Sequence, residues 1–376
     1  MQIGRYIILA LMYVGINTYI GWHGITWFQS LGLENQLGQV GYWVLFFIVA
    51  LSYILSLVIK GPIGRFLKVI GSFYFAILQY TILLFPILDL ALWLASLLGW
   101  APSLHIPLIG TVVASALLLL LLWGSRNNWS TVIRPYSLNI GKHSGTQSKL
   151  RILVASDVHL GHIKGNRFLK KLIKISSDVK PDIIFIPGDL LDGEIEPFKR
   201  NQMNETLRSL KAPLGVYAVL GNHEYYGGAV DEFVQLVKDA GIHLLQDEAV
   251  EINDSFYVVG RKDKTAEGNR YGGRKSVEEL LVPLDPAKPI LLLDHQPYEL
   301  GIAEKAGADM MLSGHTHRGQ MAPNHLITSR LFELDYGYKQ KGKMHALVSS
   351  GFGSWGPPIR IGSRSEVLQI DVTFEK

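Results

Sequence analysis

The sequence contains no cysteine. Disulfides and thiolate metal sites are thereby excluded, so any metal must be held by His, Asp, Glu or Asn. Acidic residues are nearly missing from the first 150 positions, where Glu34 and Asp89 face eight Lys and Arg. That half carries +6 and the whole chain +4, so residues 151–376 sum to −2. A nucleic-acid-binding face would need a basic second half, and no nucleic-acid partner is expected.

Polar residues are equally scarce in four runs, at about 6–30, 41–59, 69–100 and 106–124. A helix needs roughly 20 residues to cross a hydrocarbon layer of about 30 Å, so each run predicts one crossing. A buried soluble bundle would show a polar stripe on each helix, and none of the runs does. Pro86 and Asp89 interrupt the third run. They predict a crossing from about Val69 to Pro86, continued by a kinked or interfacial piece. The first run is too long for a signal-peptide core and lacks a small-x-small cleavage site. Trp22, Trp27, Trp43, Trp100 and Trp123 lie near the run ends and read as an aromatic belt. His23 and His105 fall in or beside the runs and receive no role.

Arg5 precedes the first run, Lys60, Arg65 and Lys68 separate the second from the third, and Arg126, Arg134, Lys142 and Lys149 follow the fourth. The other two connections carry only Glu34. Positive loops stay cytoplasmic. The expectation is a multi-pass protein of an inner or plasma membrane, with both termini and the second half in the cytoplasm. The layout reads as a four-span region at 1–124, a polar linker at 125–149 and a soluble domain at 150–376.

In that domain apolar strands alternate with helical patterns, which predicts an α/β layered fold. Strands are expected at about 149–155, 182–187, 214–220, 256–260, 290–293, 309–312, 344–349 and 366–373, with a helix near 229–240. Five of the strands end in short polar turns: Ser156-Asp157-Val158-His159, Gly188-Asp189, Gly221-Asn222-His223-Glu224, Asp294-His295, and Ser313-Gly314-His315-Thr316-His317. In α/β sheets ligands collect at the carboxyl ends of strands, so these residues are delivered to one rim.

Cleaving a phosphoester at neutral pH needs a strong nucleophile and positive charge against the phosphoryl oxygens. Two metals about 3.5–4 Å apart supply both, by acidifying a bridging water and clamping the phosphate. Nitrogen and oxygen donors suit Mn, Fe or Zn. The inventory of Asp, His and Asn at the strand ends matches that demand.

Asp157-Val158-His159, Gly188-Asp189, Gly221-Asn222-His223-Glu224, His295 and Gly314-His315-Thr316-His317 together resemble the five blocks of the calcineurin-like metallophosphoesterase superfamily, in the family's order. The resemblance covers about residues 150–373. It implies an α/β/β/α sandwich and two divalent transition-metal ions as cofactors. It also implies that Asp157, His159 and His317 hold the first ion, that Asp189 bridges, and that Asn222, His295 and His315 hold the second. His223 would touch the phosphate and protonate the leaving group while a metal-bridging hydroxide attacks phosphorus in line. A lone Asp-x-His or Gly-Asp is weak evidence, and five blocks in order are strong.

Tyr225-Tyr226 after the third block, Arg318-Gly319-Gln320 after His317, and the stretch Ser349 to Pro358 look most like the membrane-associated bacterial branch. Some related enzymes cleave lipid-linked phosphates. The expected partners are therefore a phosphorylated substrate, lipid-linked or membrane-proximal, and the bilayer. Two competing readings stay open: a phosphodiesterase of soluble nucleotides tethered to the membrane, and a non-catalytic scaffold. A scaffold would lose ligands, and none is visibly missing. Asp192 and Glu224 are candidates for orienting ligands or for capping turns. Arg318 and Arg360 are candidate phosphate contacts, with loop and rigid-turn roles as the alternatives. His162 reads as a solvent-facing loop residue, and His243, His325 and His345 receive no role.

Overall fold

The computed structural model describes residues 2–32, 36–101, 105–267 and 271–375. Glu34, which entered the charge count, lies outside the described residues. The chain divides into two compact units, Met1–Ser125 with Gly356–Ile359, and Arg126–Trp355 with Arg360–Lys376.

The first unit is built on four helices, α1 (Gln2–Ser30), α2 (Gln36–Val58), α3 (Gly61–Leu97) and α4 (Ile106–Trp129). Of these, α2, α3 and α4 are long and apolar enough to cross a membrane. The 29-residue α1 has the length but more polar content. Buried Asn17 donates its amide to Tyr13 O at 2.7 Å and accepts from the Tyr74 hydroxyl of α3. Such pairing is how a polar residue is tolerated where water is absent. Pro86 sits inside one uninterrupted α3, whose 37 residues measure about 55 Å at 1.5 Å per residue. The helix thus outruns a hydrocarbon layer of about 30 Å without a break. A Cβ on Gly71 would come within 2.4 Å of the Tyr53 backbone nitrogen, so glycine lets α3 close on α2.

The second unit begins with β1 (Val132–His143), β2 (Lys149–Val154), α5 (Asn166–Val179), β3 (Ile183–Pro187), α6 (Ile195–Arg200), α7 (Met203–Leu207) and β4 (Val216–Val219). Next come α8 (Asn222–Gly227), α9 (Val230–Asp239), β5 (His243–Leu244), β6 (Glu248–Ile252), β7 (Phe256–Gly260) and α10 (Val277–Leu281). Then follow β8 (Ile290–Leu293), α11 (Leu300–Lys305), β9 (Met310–Ser313), α12 (His325–Leu331), β10 (Gly337–Lys341), β11 (Met344–Val348) and β12 (Glu366–Glu375). Two six-stranded sheets result, ordered β1-β12-β2-β3-β4-β5 and β10-β11-β9-β8-β7-β6. The central strands β2-β3-β4 run parallel in one sheet and β7-β8-β9-β11 in the other.

Alternation along the strands sets the layers. Ile152 and Val154 of β2 join Phe185, Val258, Leu291 and Leu312 in a core shared by the two sheets. Leu153 and Ala155 point the other way, into a core with Leu169 and Leu172 of α5, Phe198 of α6 and Phe233 of α9. Val259, Leu292 and Met311 cover the far face of the second sheet with Leu280 of α10 and Leu300 of α11. The order helix, sheet, sheet, helix is the expected sandwich.

The stretch 125–149, read as a linker, contains β1, which pairs in parallel with β12 along Val132 to Ile140. As the edge strand it alternates half-buried and exposed residues and carries Pro135, so it lacks the apolar run that marks a buried strand.

Candidate metal centre

Five loops meet at the carboxyl ends of β2, β3, β4, β8 and β9, and each delivers the side chains expected of it. His159 Nε2 lies 3.0 Å from His317 Nε2, and His317 Nε2 lies 3.4 Å from Asp157 Oδ1. On the other side, Asn222 Oδ1 lies 3.1 Å from His295 Nε2 and 2.8 Å from His315 Nδ1. Asp189 stands between the groups: its Oδ2 is 3.2 Å from His295 Nε2 and 3.8 Å from His159 Nε2. Asp157, His159, Asp189, His295 and His317 are all buried. Donor atoms of Asp157, His159 and His317, and likewise of Asp157, Asp189 and His295, lie within 4.8 Å of one another.

The local backbone explains how such short turns aim so many groups inward. Asp157, His159, Asp189, His315 and His317 all adopt positive φ, between 50° and 70°. Non-glycine residues avoid that region at a cost of about 1 kcal/mol or more each, and such strain gathers at functional sites. Glycines give the clearance. A Cβ on Gly314 would sit 2.1 Å from Asp157 Oδ2, and one on Gly221 would sit 2.2 Å from Asp189 Oδ1. In these two blocks the Gly is therefore a packing requirement of the neighbouring carboxylate, and in the second block Gly188 makes the same room for the His295 ring.

Burial and mutual charge set the protonation of this cluster. Burial pushes His317 well below the ordinary imidazole value, helped by His159 and Arg360. Burial likewise brings His315 down to about 4, with His295 adding to the effect. Both rings are thus neutral and keep a lone pair for a cation. His295 differs: burial lowers it, but Asp189 outweighs burial and raises it well above the usual range. Its Nδ1 lies 2.9 Å from Pro187 O, which can only accept, so Nδ1 carries a proton and Nε2 faces the cluster. Burial pushes the Asp157 carboxyl up and nearby Asp189 adds to this, whereas the histidines overcome burial to hold Asp189 well below the carboxylate range.

Asp157 Oδ2 is buried and has no hydrogen-bond partner among the described residues. An orphaned buried carboxylate oxygen costs several kcal/mol unless a cation compensates it. The neutral imidazoles, the amide oxygen and the two buried carboxylates form a donor set that fits divalent transition metals.

A ring of supporting residues surrounds the donors. Asp192 Oδ1 lies 3.3 Å from His159 Nδ1 and 3.5 Å from His223 Nδ1, beside both rings though without a hydrogen bond to His159. His223 sits at the rim, its ring edge-on to His159 with centroids 4.6 Å apart, and its backbone N–H donates to Asp189 Oδ1 at 3.0 Å. Burial lowers its imidazole below the ordinary value. Glu224 accepts from the backbone N–H groups of Gly221 at 2.7 Å, Leu191 at 2.7 Å and Asp189 at 3.2 Å, tying the second and third loops together.

Arg360 is fully buried and so contacts no substrate, contrary to one expectation for it. Its Nη2 donates to Ser350 O at 2.6 Å and Gly353 O at 2.5 Å. Those acceptors take both Nη2 protons, so the 3.2 Å approach to His317 Nδ1 is packing support. Arg318 places its guanidinium 4.6 Å from the centre of the Tyr336 ring. His162 is mostly shielded and lies 2.9 Å from Glu194 Oε2, correcting the solvent-facing reading. His345 is structural, its Nε2 3.0 Å from Asn139 O.

Sequence reasoning passed over Asp294, whose carboxylate lies buried beneath His295. Arg274 Nη2 donates to both of its oxygens at 2.7 and 2.6 Å, and Arg261 Nη1 to one at 3.2 Å. The Asp-His doublet at a strand end was the available signal, but its arginine partners stand 20 and 33 positions away. Lys164, also missed, is buried and donates to Ser354 O at 2.9 Å.

Comparison with known proteins agrees with this geometry. The calcineurin-like phosphoesterase family matches residues 150–319. An uncharacterized metallophosphoesterase of Aquifex aeolicus is 35% identical over 251 residues, covering 64% of this chain and 94% of that protein. A transmembrane protein with metallophosphoesterase domain from Danio rerio is 31% identical, covering 59% of this chain and 52% of its own length. An uncharacterized metallophosphoesterase of Helicobacter pylori is 32% identical over 59% of each chain. This chain thus spans nearly all of the first relative and between half and three fifths of the other two. With the matched region containing four of the five ligand-bearing loops in full and the last through His317, the chain belongs to the calcineurin-like phosphoesterases, metal-dependent hydrolases of phosphoester bonds.

Proposed function

We propose that the protein is a membrane-anchored two-metal hydrolase acting on phosphoester or pyrophosphate bonds of a lipid-linked or membrane-proximal substrate. The observation that carries this reading is the convergence of seven side chains with nitrogen or oxygen donors at one rim, among them Asp157 with its buried, partnerless Oδ2. Asp157, His159 and His317 would hold one ion and Asn222, His295 and His315 the other, with Asp189 placed between the two groups to be shared by both. When bound, two Mn, Fe or Zn ions supply Lewis acidity and a nucleophile at neutral pH.

The chain's own groups do the rest. Pro187 O holds the His295 ring in place through Nδ1, so that Nε2 faces the cluster and would serve as a ligand once deprotonated. Asp192 lies beside both His159 and His223, where the rim histidine meets the ligand cluster. His223 is 22% exposed at its side chain, the right place for a group that gives a proton to a departing oxygen.

The membrane reading has four crossings and a cytoplasmic catalytic unit. Its support is the three apolar helices, the spanning length of α1, and the grouping of Arg5, Lys60, Arg65, Lys68 and Arg126 at the start of α1, around the α2–α3 junction and at the end of α4. A lipid substrate follows from the anchor, which confines the site to the plane where headgroups are concentrated.

The test is hydrolysis by the full chain in nanodiscs with Mn²⁺, offering p-nitrophenyl phosphate, phosphorylated lipids and cyclic nucleotides side by side. The proposal expects lipid turnover to exceed nucleotide turnover and Asp189→Ala to abolish both. Preference for nucleotides would overturn the lipid assignment, and activity untouched by Asp189→Ala would overturn the metal mechanism.

A further inference from the structure

The four-helix unit forms a half-open cavity of about 340 Å³ that the hydrolase site does not use. Its walls are largely apolar and include Trp22, Trp27, Phe46, Phe85 and Leu117 from all four helices. Into this setting α3 brings Asp89, the one acidic residue on the membrane helices. The Tyr19 hydroxyl of α1 donates to Asp89 Oδ2, and His23 Nε2 lies 3.2 Å from the same oxygen. Tyr19 stands edge-on to His23, and His23 lies against the Phe85 ring at 4.3 Å between centroids. The pattern matches a ligand pocket, which is typically roughly 300–1,000 Å³, mainly apolar and furnished with a few convergent polar groups.

The polar cluster needs a reason, because an ionisable residue among spanning helices is costly and ordinarily marks a functional site. The cluster ties α1 to α3, yet it does not use the whole carboxylate. Both protein contacts fall on Oδ2, and the Asp89 side chain keeps 40% of its surface exposed while lining the cavity. The carboxylate therefore has capacity to accept a further donor from an occupant. An occupant must match both features. Apolar aromatic walls among apolar helices suit a hydrocarbon chain, and an acidic acceptor suits a head that donates and disfavours an anionic one.

We infer that this cavity is a second binding site, taking the chain of a single-chain lipid whose ammonium or hydroxyl head is held by Asp89 with His23. A carboxylate acceptor favours a donating head over an anionic phosphate, so the site differs in chemistry from the hydrolase centre. Its occupant is a resident or regulatory lipid, not the substrate's phosphorylated end.

Photolabelling of the full chain in nanodiscs tests this. The probe is hexadecylamine with a diazirine in its chain, competed by unlabelled hexadecylamine, hexadecanol or hexadecyl phosphate. The expected result is saturable labelling of peptides around Trp22–Trp27, Phe85–Leu92 and Ile106–Leu117. Amine and alcohol should compete, with the phosphate at least tenfold weaker. Asp89→Asn should weaken competition by the amine about tenfold, and Ala114→Trp, which fills the cavity, should remove the saturable component. Thermal unfolding and Mn²⁺-dependent cleavage of p-nitrophenyl phosphate serve as controls on both variants and should stay unchanged. Should Ala114→Trp misfold by those controls, Leu117→Trp replaces it. Labelling that is unsaturable and spread over all lipid-facing residues would overturn the inference, as would equal competition by the phosphate or indifference to both variants.

Discussion

At the residue scale the site depends on groups that never meet the metals. Glu224 holds three backbone N–H groups of two ligand loops with its two oxygens. Glu224→Gln puts an NH2 where an acceptor is required, and loss of such support typically costs 10–100-fold in metal affinity or activity. A 10–100-fold fall in kcat/KM at fixed Mn²⁺, partly recovered at higher Mn²⁺, is the expected outcome. Gly314→Ala acts by a different route: its methyl group would meet Asp157 Oδ2 at 2.1 Å and must displace it. Activity should fall at least tenfold while the circular dichroism spectrum is kept.

Buried Lys164 adds a pH effect. Burial lowers its amine from 10.5 to about 7, so between those values the unfolded chain binds a proton that the folded chain does not. Stability therefore rises as pH increases through that window, by an amount on the order of 3–5 kcal/mol. Below pH 7 both states are protonated and the dependence ends. Lys164→Met should flatten the rise seen in denaturant unfolding between pH 7 and 9; an equal slope in both proteins would contradict the assignment.

Among the elements, what was legible in the sequence follows burial. Strands β2, β3, β7, β8, β9 and β11 lie within sheets covered on both faces, and their continuous apolar runs announced them to within a residue or two. The five ligand loops were legible for the same reason: a polar turn after such a run has little else to do than face the rim. Strands β1, β6 and β10 occupy sheet edges or their neighbours and mix polar with apolar residues. That mixture made 125–149 resemble a linker. Partners distant in the chain were hidden too, as with Arg261 and Arg274 beneath Asp294. Arg360 was left open between a phosphate contact and a rigid-turn role because a buried guanidinium bound to carbonyls leaves no local pattern. It pins the loop from Ser350 to Gly353 behind His317, and lysine cannot reproduce its fork. Arg360→Lys should cost at least about 2 kcal/mol, a fall in Tm of roughly 4–8 °C for a unit of this size.

For the whole molecule, the proposed reading assigns anchoring to the helical unit and chemistry to the α/β unit. A folded centre that binds cations and an unfolded chain that does not must be linked by mass action. At 100 times Kd a ligand contributes about 2.7 kcal/mol. Chelation of the purified protein should therefore lower Tm and Mn²⁺ should restore it, with no such response in Asp189→Ala. The same reasoning keeps the cavity of the helical unit apart, since filling it should leave the metal response untouched. The central claim, that seven side chains cage a pair of ions, is tested most directly by anomalous diffraction from Mn²⁺-loaded crystals with metal content measured on the same preparation. The account predicts two ions per chain, about 3.5–4 Å apart, with an Asp189 oxygen touching each. One ion or none at saturating Mn²⁺, or an Asp189 carboxylate bound to neither, would contradict it.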